Sequence, residues 1–446
     1  MIAGLPERVA ATEKALLARW PDTLVDPSLD RITALLDRLG NPQRDVTAIH
    51  VTGTNGKTTT ARMIDGVLRA SGRRTGRFSG PHLRSVRERI VIDGTPIDET
   101  ELVTLHETVL PDVEAVDRES ETPLSFFEVV TAMALLAFDR AGLDVVVVET
   151  GLGGTWDATN VLDARLAVVT PIALDHTEYL GADVATIAGE NAGVIKPGGV
   201  AIVANQTAKA RSVIDAHAAA VGADVRSAAG PRRRTSVTLR PLGQTVHLTV
   251  GGRTFPDLFL PLLGAYQAEN AQLALAAVEA FLAPGGHALT AQDAHRGLAA
   301  VRAPGRLEQV RGSPPVLVDA SSNPAGMRAT LEGLCGALDV TRLVVVLGLL
   351  RSKDAPGILE ALDPIASEVV VTETRSPRAL PAAELAAAAV PILGPARVAT
   401  RPRIADAITS ALGSATDPFL PAAVLVTGGA GVAAVAQSLL TRPDPS

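Results

Sequence analysis

The stretch Ala48–Ile64, AIHVTGTNGKTTTARMI, decides how this chain is read. It carries a Gly-Lys-Thr triplet, but only two residues separate Gly53 from Gly56. Val51 stands where the longer G-x-x-x-x-G-K-[ST] spacing has its first glycine. The surroundings nevertheless suit a phosphate cradle. Val51 closes a β-like run, and Met63, Ile64, Val67 and Leu68 then recur at helical spacing until Ser71 and Gly72 end the pattern. Strand, glycine loop, Lys-Thr and helix, in that order, aim backbone N–H groups and a helix dipole at phosphate oxygens. The cradle runs Thr54, Asn55, Gly56, Lys57, Thr58, Thr59. Lys57 supplies charge to the phosphates, and the Thr58 hydroxyl can reach a magnesium ion.

The bulk composition narrows the function classes. With 446 residues, two or three domains are expected. Apolar residues make up 47% and charged residues 20%, as in ordinary globular proteins. Apolar runs such as LVVVLGLL fall far short of the roughly 18–20 residues that cross a bilayer. Residues 1–20 carry charges throughout and no small-residue cleavage site, so they do not read as a signal peptide. Cys335 is the single cysteine, which excludes an internal disulfide and a multi-cysteine metal site. A net charge of −7 and 3% aromatics argue against a nucleic-acid binder. The one basic cluster, Pro231–Arg234, reads as a solvated loop. The expectation is a cytoplasmic monomer that acts on small molecules.

Short β-rich runs alternate with helical patterns along most of the chain, which points to parallel α/β architecture. Strand candidates are AIHVTG, VVVVETG, LAVVTPI, VAIVAN, VLVDAS, LVVVLG, EVVVTET and AVLVTGG. Val237–Phe259 breaks the rhythm and reads as a hairpin insertion. A nucleotide-binding domain is expected at 1–300, a Pro/Gly/Arg-rich link at 301–311 and a smaller Rossmann-like domain at 312–446. The carboxyl ends of parallel strands line the ligand crevice, so polar residues there are read first. Glu149 ends a buried strand, where a lone carboxylate needs a cation or donors. Magnesium is the natural partner, with a structural carboxylate as the plainer reading. His176 also follows a strand; on position alone a histidine there is more often structural than a ligand.

Together, VTGTNGKTTT, PHLRSVRERI, FFEVVTAMALLAF, VETGLGGTWDATNV, TPIALDHTEYLG, PGRLE and SPRAL resemble the folylpolyglutamate synthase/dihydrofolate synthase family of the Mur ligase superfamily. The likeness runs from about Ile32 to Leu440. It accounts for the short loop, because this superfamily cradles ATP with G-T-N-G-K-[ST]. The resemblance implies that a pterin- or folate-like acid is activated by ATP as an acyl phosphate. An amine such as L-glutamate then displaces phosphate. It further implies that Thr58, Glu149 and His176 hold or orient magnesium, with Ser79 as a further candidate. Asn270, Arg306 and Asp319 would hold the nucleotide, and Arg84, Arg89, Asp157, Ser322 and Gly429 would face the other substrates.

Four positions depart from the family pattern. Gly80 replaces the serine of S-P-H-L, with Ser79 one place early. Asn191 replaces the lysine of E-K-A-G, whose carbamate ligates a second magnesium. Ser322 replaces the histidine of D-x-A-H-N-P, and Gly429 replaces the serine of V-T-G-S. Lys196 is no substitute for the missing lysine, since five residues along a helix turn it about 140° from the same face. One magnesium ion is expected, a second one bound weakly, and glutamate used poorly until Asn191→Lys, Ser322→His and Gly429→Ser restore the pattern. Neutral drift at these positions is the competing reading. The alternatives to a glutamate ligase are a diverged paralog joining a different acid and amine, or a catalytically weak ATP-binding regulatory homolog.

Overall fold

The computed structural model describes residues 4–20, 26–228, 236–240, 243–339, 341–416 and 421–441. Pro231–Arg234 lies outside them. The first sheet takes in chain order β1 (Ala48–Thr52), β2 (Thr75–Phe78), β3 (Ile90–Ile92), β4 (Thr95–Pro96), β5 (Val145–Glu149), β6 (Leu166–Val169), β7 (Val200–Val203) and β8 (Asp224–Ser227). They lie side by side as β4-β3-β2-β5-β1-β6-β7-β8. β1 is buried over its whole length, which requires neighbours on both edges and cover on both faces. It has both: β5 and β6 flank it in parallel.

Side-chain alternation sorts the two faces. Ile49, Val51, Val145, Val147 and Val168 pack with Met63, Ile64, Val67 and Leu68 of the helix Lys57–Ala70, and with the helix Ala265–Leu282. Ala48, Val146, Val148 and Phe78 pack on the other face against Val130, Met133 and Phe138 of the helix Phe126–Ala141. β2 reads TGRF and carries no apolar pattern. It pairs beside β5 because Gly76 lets the Phe138 ring approach; a Cβ there would lie 2.8 Å from that ring.

The expected insertion is a separate antiparallel sheet of β9 (Ser236–Arg240), β10 (Gly243–Val250) and β11 (Arg253–Leu260). The last sheet holds β12 (Glu308–Gly312), β13 (Pro315–Val318), β14 (Arg342–Leu347), β15 (Glu368–Val371), β16 (Val398–Thr400) and β17 (Ala422–Thr427), ordered β12-β13-β17-β14-β15-β16. Only β12 runs antiparallel to its neighbour. The link expected at 301–311 is shorter in the structure. Glu308 already pairs with Val318, so residues 308–311 are strand; the Gly and Pro residues on either side hid that pairing. Among the described residues, no helix is long and apolar enough to cross a membrane.

Phe138 is fully buried beneath β2 and β5. Phe138→Ala should therefore destabilise the protein by about 3–5 kcal/mol, measured as a lowered urea midpoint at constant m-value.

Candidate active site

A cleft of about 910 Å³ opens where the carboxyl ends of the two large sheets face each other. Its walls include the loop after β1, residues 149–153 at the end of β5, residues 171–173, 175 and 176 after β6, and residues 319–323 after β13. The loop after β1 has the conformation that its glycines permit. Gly53 has φ 125° and Gly56 has φ 88°. A Cβ on Gly53 would lie 2.2 Å from Thr170 Oγ1, and one on Gly56 would lie 2.6 Å from Asn270 Oδ1. Thr54 N and Asn55 N both donate to the Pro171 carbonyl at 3.1 Å. The loop is thus fastened to the end of β6 before any ligand arrives.

Lys57 starts the helix Lys57–Ala70 and folds back, donating from Nζ to the Gly53 carbonyl at 2.7 Å. Burial lowers its pKa, while Glu149 and Asp175 pull it back up. Glu149 is buried at the end of β5. Its Oε1 lies 2.8 Å from Thr58 Oγ1, and its Oε2 accepts from Gly80 N at 3.1 Å. Burial raises the Glu149 pKa, opposed by Lys57, Thr58, Gly80 N–H and Arg306. The Gly80 carbonyl oxygen is 3.0 Å from Thr58 Oγ1. A carboxylate, a hydroxyl and a carbonyl oxygen therefore meet at the mouth of the phosphate loop, and Arg306 Nη2 reaches within 3.4 Å of the same hydroxyl. Among the described residues, no three His, Cys, Asp or Glu side chains cluster to hold a metal alone. The oxygen set suits magnesium, which takes one or two carboxylates and completes its shell with phosphate and water.

His176 lines the same cleft in the left-handed conformation, φ 49°. Its Nε2 sits 3.2 Å from Lys353 Nζ and 3.9 Å from Asp175 Oδ1. Burial lowers its pKa to about 4; Asp175 opposes this, and Lys353, Lys57 and Arg378 reinforce it. The imidazole is therefore neutral near pH 7. Asn270 is buried against the loop, donating to Gln267 Oε1 at 2.9 Å. Thr59 and Asn270 both line the cleft.

Several expected residues have other engagements. Ser79 is hydrogen-bonded by Arg77 Nη1 and lies outside the cleft lining, so the Gly80 backbone takes the place expected of Ser79 beside Glu149. Asn191 is buried, with Oδ1 accepting from Thr52 Oγ1 at 2.7 Å and Gly53 N at 3.0 Å. Its Nδ2 donates to the Ile187 carbonyl at 2.7 Å. This amide ties β1 to the loop, and a lysine there would strip Thr52 and Gly53 of that acceptor. Lys196 is held by Asn160 O and Oδ1 at 3.0 and 2.9 Å.

Asp319 lines the cleft, but its carboxylate accepts from Leu307 N, Ser321 N and Thr330 Oγ1 at 2.7–2.9 Å, so it organises the loops around it. Arg84 is exposed, bonded to Thr441 Oγ1 at 3.2 Å and absent from the cleft wall. Arg89 lies on the wall, with its guanidinium 4.8 Å from the Phe126 ring centroid. A Cβ on Gly429 would lie 3.9 Å from Ser322 Cβ, so these two positions adjoin. Gly429 has φ 137°, which L side chains rarely adopt, and Gly429→Ser would strain the backbone.

Asp157 carries a hydrogen-bond relay that its sequence context did not reveal. Its Oδ2 accepts from Gly151 N and Leu152 N at 2.8 and 2.9 Å, and its Oδ1 from Thr159 N and Oγ1. Because the Thr159 hydroxyl donates to Asp157, His50 Nε2–H donates to Thr159 Oγ1, at 2.7 Å. Asp175, Asn323, Lys353 and Tyr266, and the cleft-lining aromatics Trp20, Phe127 and Trp156, carried no separate sign in the sequence. Asp175, beside His176 and just past a strand, was the available signal.

Comparison with known proteins agrees with this geometry. The Mur ligase middle domain matches residues 51–278, and the glutamate ligase domain of Mur ligases matches residues 305–430. The dihydrofolate synthase/folylpolyglutamate synthase of Mycobacterium tuberculosis is 44% identical over 475 residues, covering 100% of this chain and 96% of that one. The chain belongs to the dihydrofolate synthase/folylpolyglutamate synthase family. The Bacillus subtilis member is 34% identical, covering 81% of this chain and 84% of its own. The Mycobacterium tuberculosis folylpolyglutamate synthase complexed with ADP superposes with TM-score 0.92 at 43% identity, covering 98% of this chain and 99% of that one. An FPGS–AMPPCP–folate complex superposes with TM-score 0.85 at 29% identity, covering 97% and 99%.

Burial, with Lys196 nearby, lowers the His50 pKa from 6.5 to about 3. The folded state then binds fewer protons than the unfolded chain below pH 6.5, so this contribution is full above 6.5 and is lost as pH falls. Asp157, raised by burial from 3.8 to about 6, acts with the opposite sign between those values. His50→Gln keeps a donor for Thr159 and removes only the first effect. Between pH 4 and 6, urea unfolding of that variant should show a pH slope lower than the parent's by about 1.4 kcal/mol per unit. An unchanged slope would mean that His50 titrates normally in the folded protein.

Proposed function

We propose that this chain is an ATP-dependent carboxylate–amine ligase that joins a pterin- or folate-like acid to L-glutamate through an acyl phosphate. The observation that carries the reading is the meeting of Lys57, Thr58 and Glu149 inside one cleft whose walls also include Trp20, Phe127 and Trp156. The loop after β1 suits phosphate, and the aromatic side chains on the walls suit a flat ring. Family membership supports the same reaction. The division into a nucleotide domain at 1–300 and a smaller domain that starts with β12 at Glu308, monomeric state, cytoplasmic location and lack of nucleic-acid partners belong to the same proposal.

In the first step the substrate carboxylate attacks the γ-phosphorus of ATP; a P–O bond forms and the bond to the β-phosphate oxygen breaks, releasing ADP. Little covalent chemistry falls to the protein, so positioning and charge neutralisation dominate. Lys57 leaves the Gly53 carbonyl for the phosphate oxygens, where a cation in a dry site acts strongly. The first N–H groups of the helix Lys57–Ala70 lack partners inside the helix and face the same charge. Arg306 and Asn270, both on the cleft wall, would border the nucleotide. Thr58 and Glu149 would hold magnesium, which withdraws charge from the transferring phosphoryl group when bound. In the second step the amine nitrogen attacks the acyl carbon, the C–O bond to phosphate breaks, and the nitrogen gives up a proton. Ser322 stands on the wall from which the amine would enter, a short hydroxyl beside the bare backbone of Gly429.

The direct test is incubation with ATP, magnesium and dihydropteroate or a folate, each with a separate amine donor, and identification of products by mass. A glutamyl adduct formed with one ADP and one phosphate is expected. ATP consumption without any amide from any donor would refute the ligase reading. Lys57→Ala should fold yet lose about 10²–10³-fold in kcat; ordinary turnover would remove this loop from the chemistry. Glu149→Gln should weaken Mn²⁺ binding to the protein–AMPPCP complex at least about tenfold, read by electron paramagnetic resonance. Unchanged Mn²⁺ affinity would place the ion elsewhere.

A further inference from the structure

Asp175 lies at the junction of three loops that belong to different parts of the chain. Its Oδ1 accepts from Lys353 Nζ at 2.7 Å, and its Oδ2 accepts from Asn323 Nδ2 at 3.0 Å. Asn323 Nδ2 also lies 3.0 Å from Oδ1 of Asn55, in the phosphate loop. Asn323 caps the helix Pro324–Ala337 by accepting from Gly326 N at 2.8 Å. It directly follows Ser322. Lys353 follows β14, so both donors come from the last sheet's side of the cleft while Asp175 and Asn55 come from the first sheet's side. The ion pair is withdrawn from solvent: the side chains of Lys353 and Asp175 are 8% and 13% exposed. Two charges held in such a setting demand a defined geometry.

We infer that Asp175 is a positioning residue that clasps the last sheet onto the phosphate loop through Lys353 and Asn323. The inference rests on the proposed ligase reading for its catalytic consequence only. An acyl phosphate formed over the phosphate loop and an amine admitted beside Ser322 must be brought together to within bonding distance. A misplacement of about 1 Å between such partners can cost on the order of 10²-fold in rate. The clasp fixes that separation without touching the reacting atoms.

Asp175→Asn keeps an acceptor and removes the charge, and Lys353→Met removes the other partner. Each should lower kcat/KM for the amine about 10–100-fold while changing affinity for a fluorescent ADP analogue less than about threefold. Lys353→Arg should recover most of the loss. The double variant Asp175→Asn/Lys353→Met should lose little more than either single one, because both break the same clasp. Spin labels on Cys335, which is exposed on the helix Pro324–Ala337, and on an exposed Lys209→Cys give a second readout. Pulsed dipolar spectroscopy should give one narrow distance distribution for the parent, and a broader one extending to longer distances for Asp175→Asn and Lys353→Met. Folded variants that keep the parent's distribution overturn the clasp, whatever their activity. Distances that respond in a protein making no amide uphold the clasp and refute the ligase reading instead.

Discussion

Glu149 is the constraint around which the site is arranged. A carboxylate buried at the end of a central strand is costly unless donors and a cation surround it. The chain provides the Thr58 hydroxyl, the Gly80 N–H and the nearby Lys57 ammonium. Each partner fixes one element: Thr58 the start of the helix Lys57–Ala70, Gly80 the turn after β2, and Lys57 the loop itself. The same cluster leaves oxygen atoms converging where a hard cation and phosphate belong. The demand of one buried charge therefore accounts for both the local structure and the chemistry it permits.

The departures from the family pattern look different once their surroundings are known. Ser79 does not stand in for the serine at position 80, because buried Arg77 claims its hydroxyl. The backbone of Gly80 meets Glu149 and Thr58 instead, and the absence of a Cβ suits it: one placed there would come within 3.1 Å of Arg89 Nη1. Asn191 has every polar atom engaged in holding β1 and the phosphate loop. Gly429 adopts a backbone conformation that a serine would resist. These substitutions are knitted into their neighbourhoods and are not isolated losses. Reversing Asn191 alone takes the acceptor from Gly53 N, and reversing Gly429 alone strains the chain.

Two further groups show how support and recognition divide within the cleft. Asp157 and Asp319 line it, yet their carboxylates are occupied by backbone N–H groups and threonine hydroxyls. They shape loops that then face the ligand. Lys57, Arg306 and His176 have fewer internal bonds and retain room to exchange them for substrate contacts. In an open α/β crevice this is the expected division, since loop backbones need satisfied donors before they can present anything.

Much of this was legible in the linear chain. The eight apolar runs read as strand candidates are strands, and the phosphate loop follows the first of them, because local spacing and burial periodicity are properties of contiguous residues. Glu149 and Lys57 were marked by position alone. β2 was not legible, since Gly76 and Arg77 interrupt any apolar pattern and the strand exists only because Phe138 and β5 receive it. Nor could the sequence distinguish a carboxylate that faces ligand from one that holds a loop, as Asp157 and Asp319 do. The pairing of Asp175 with Lys353 and Asn323 joins residues about 150–180 positions apart. Such contacts depend on how two sheets approach each other, and that is decided only when long-range packing brings their strand ends together.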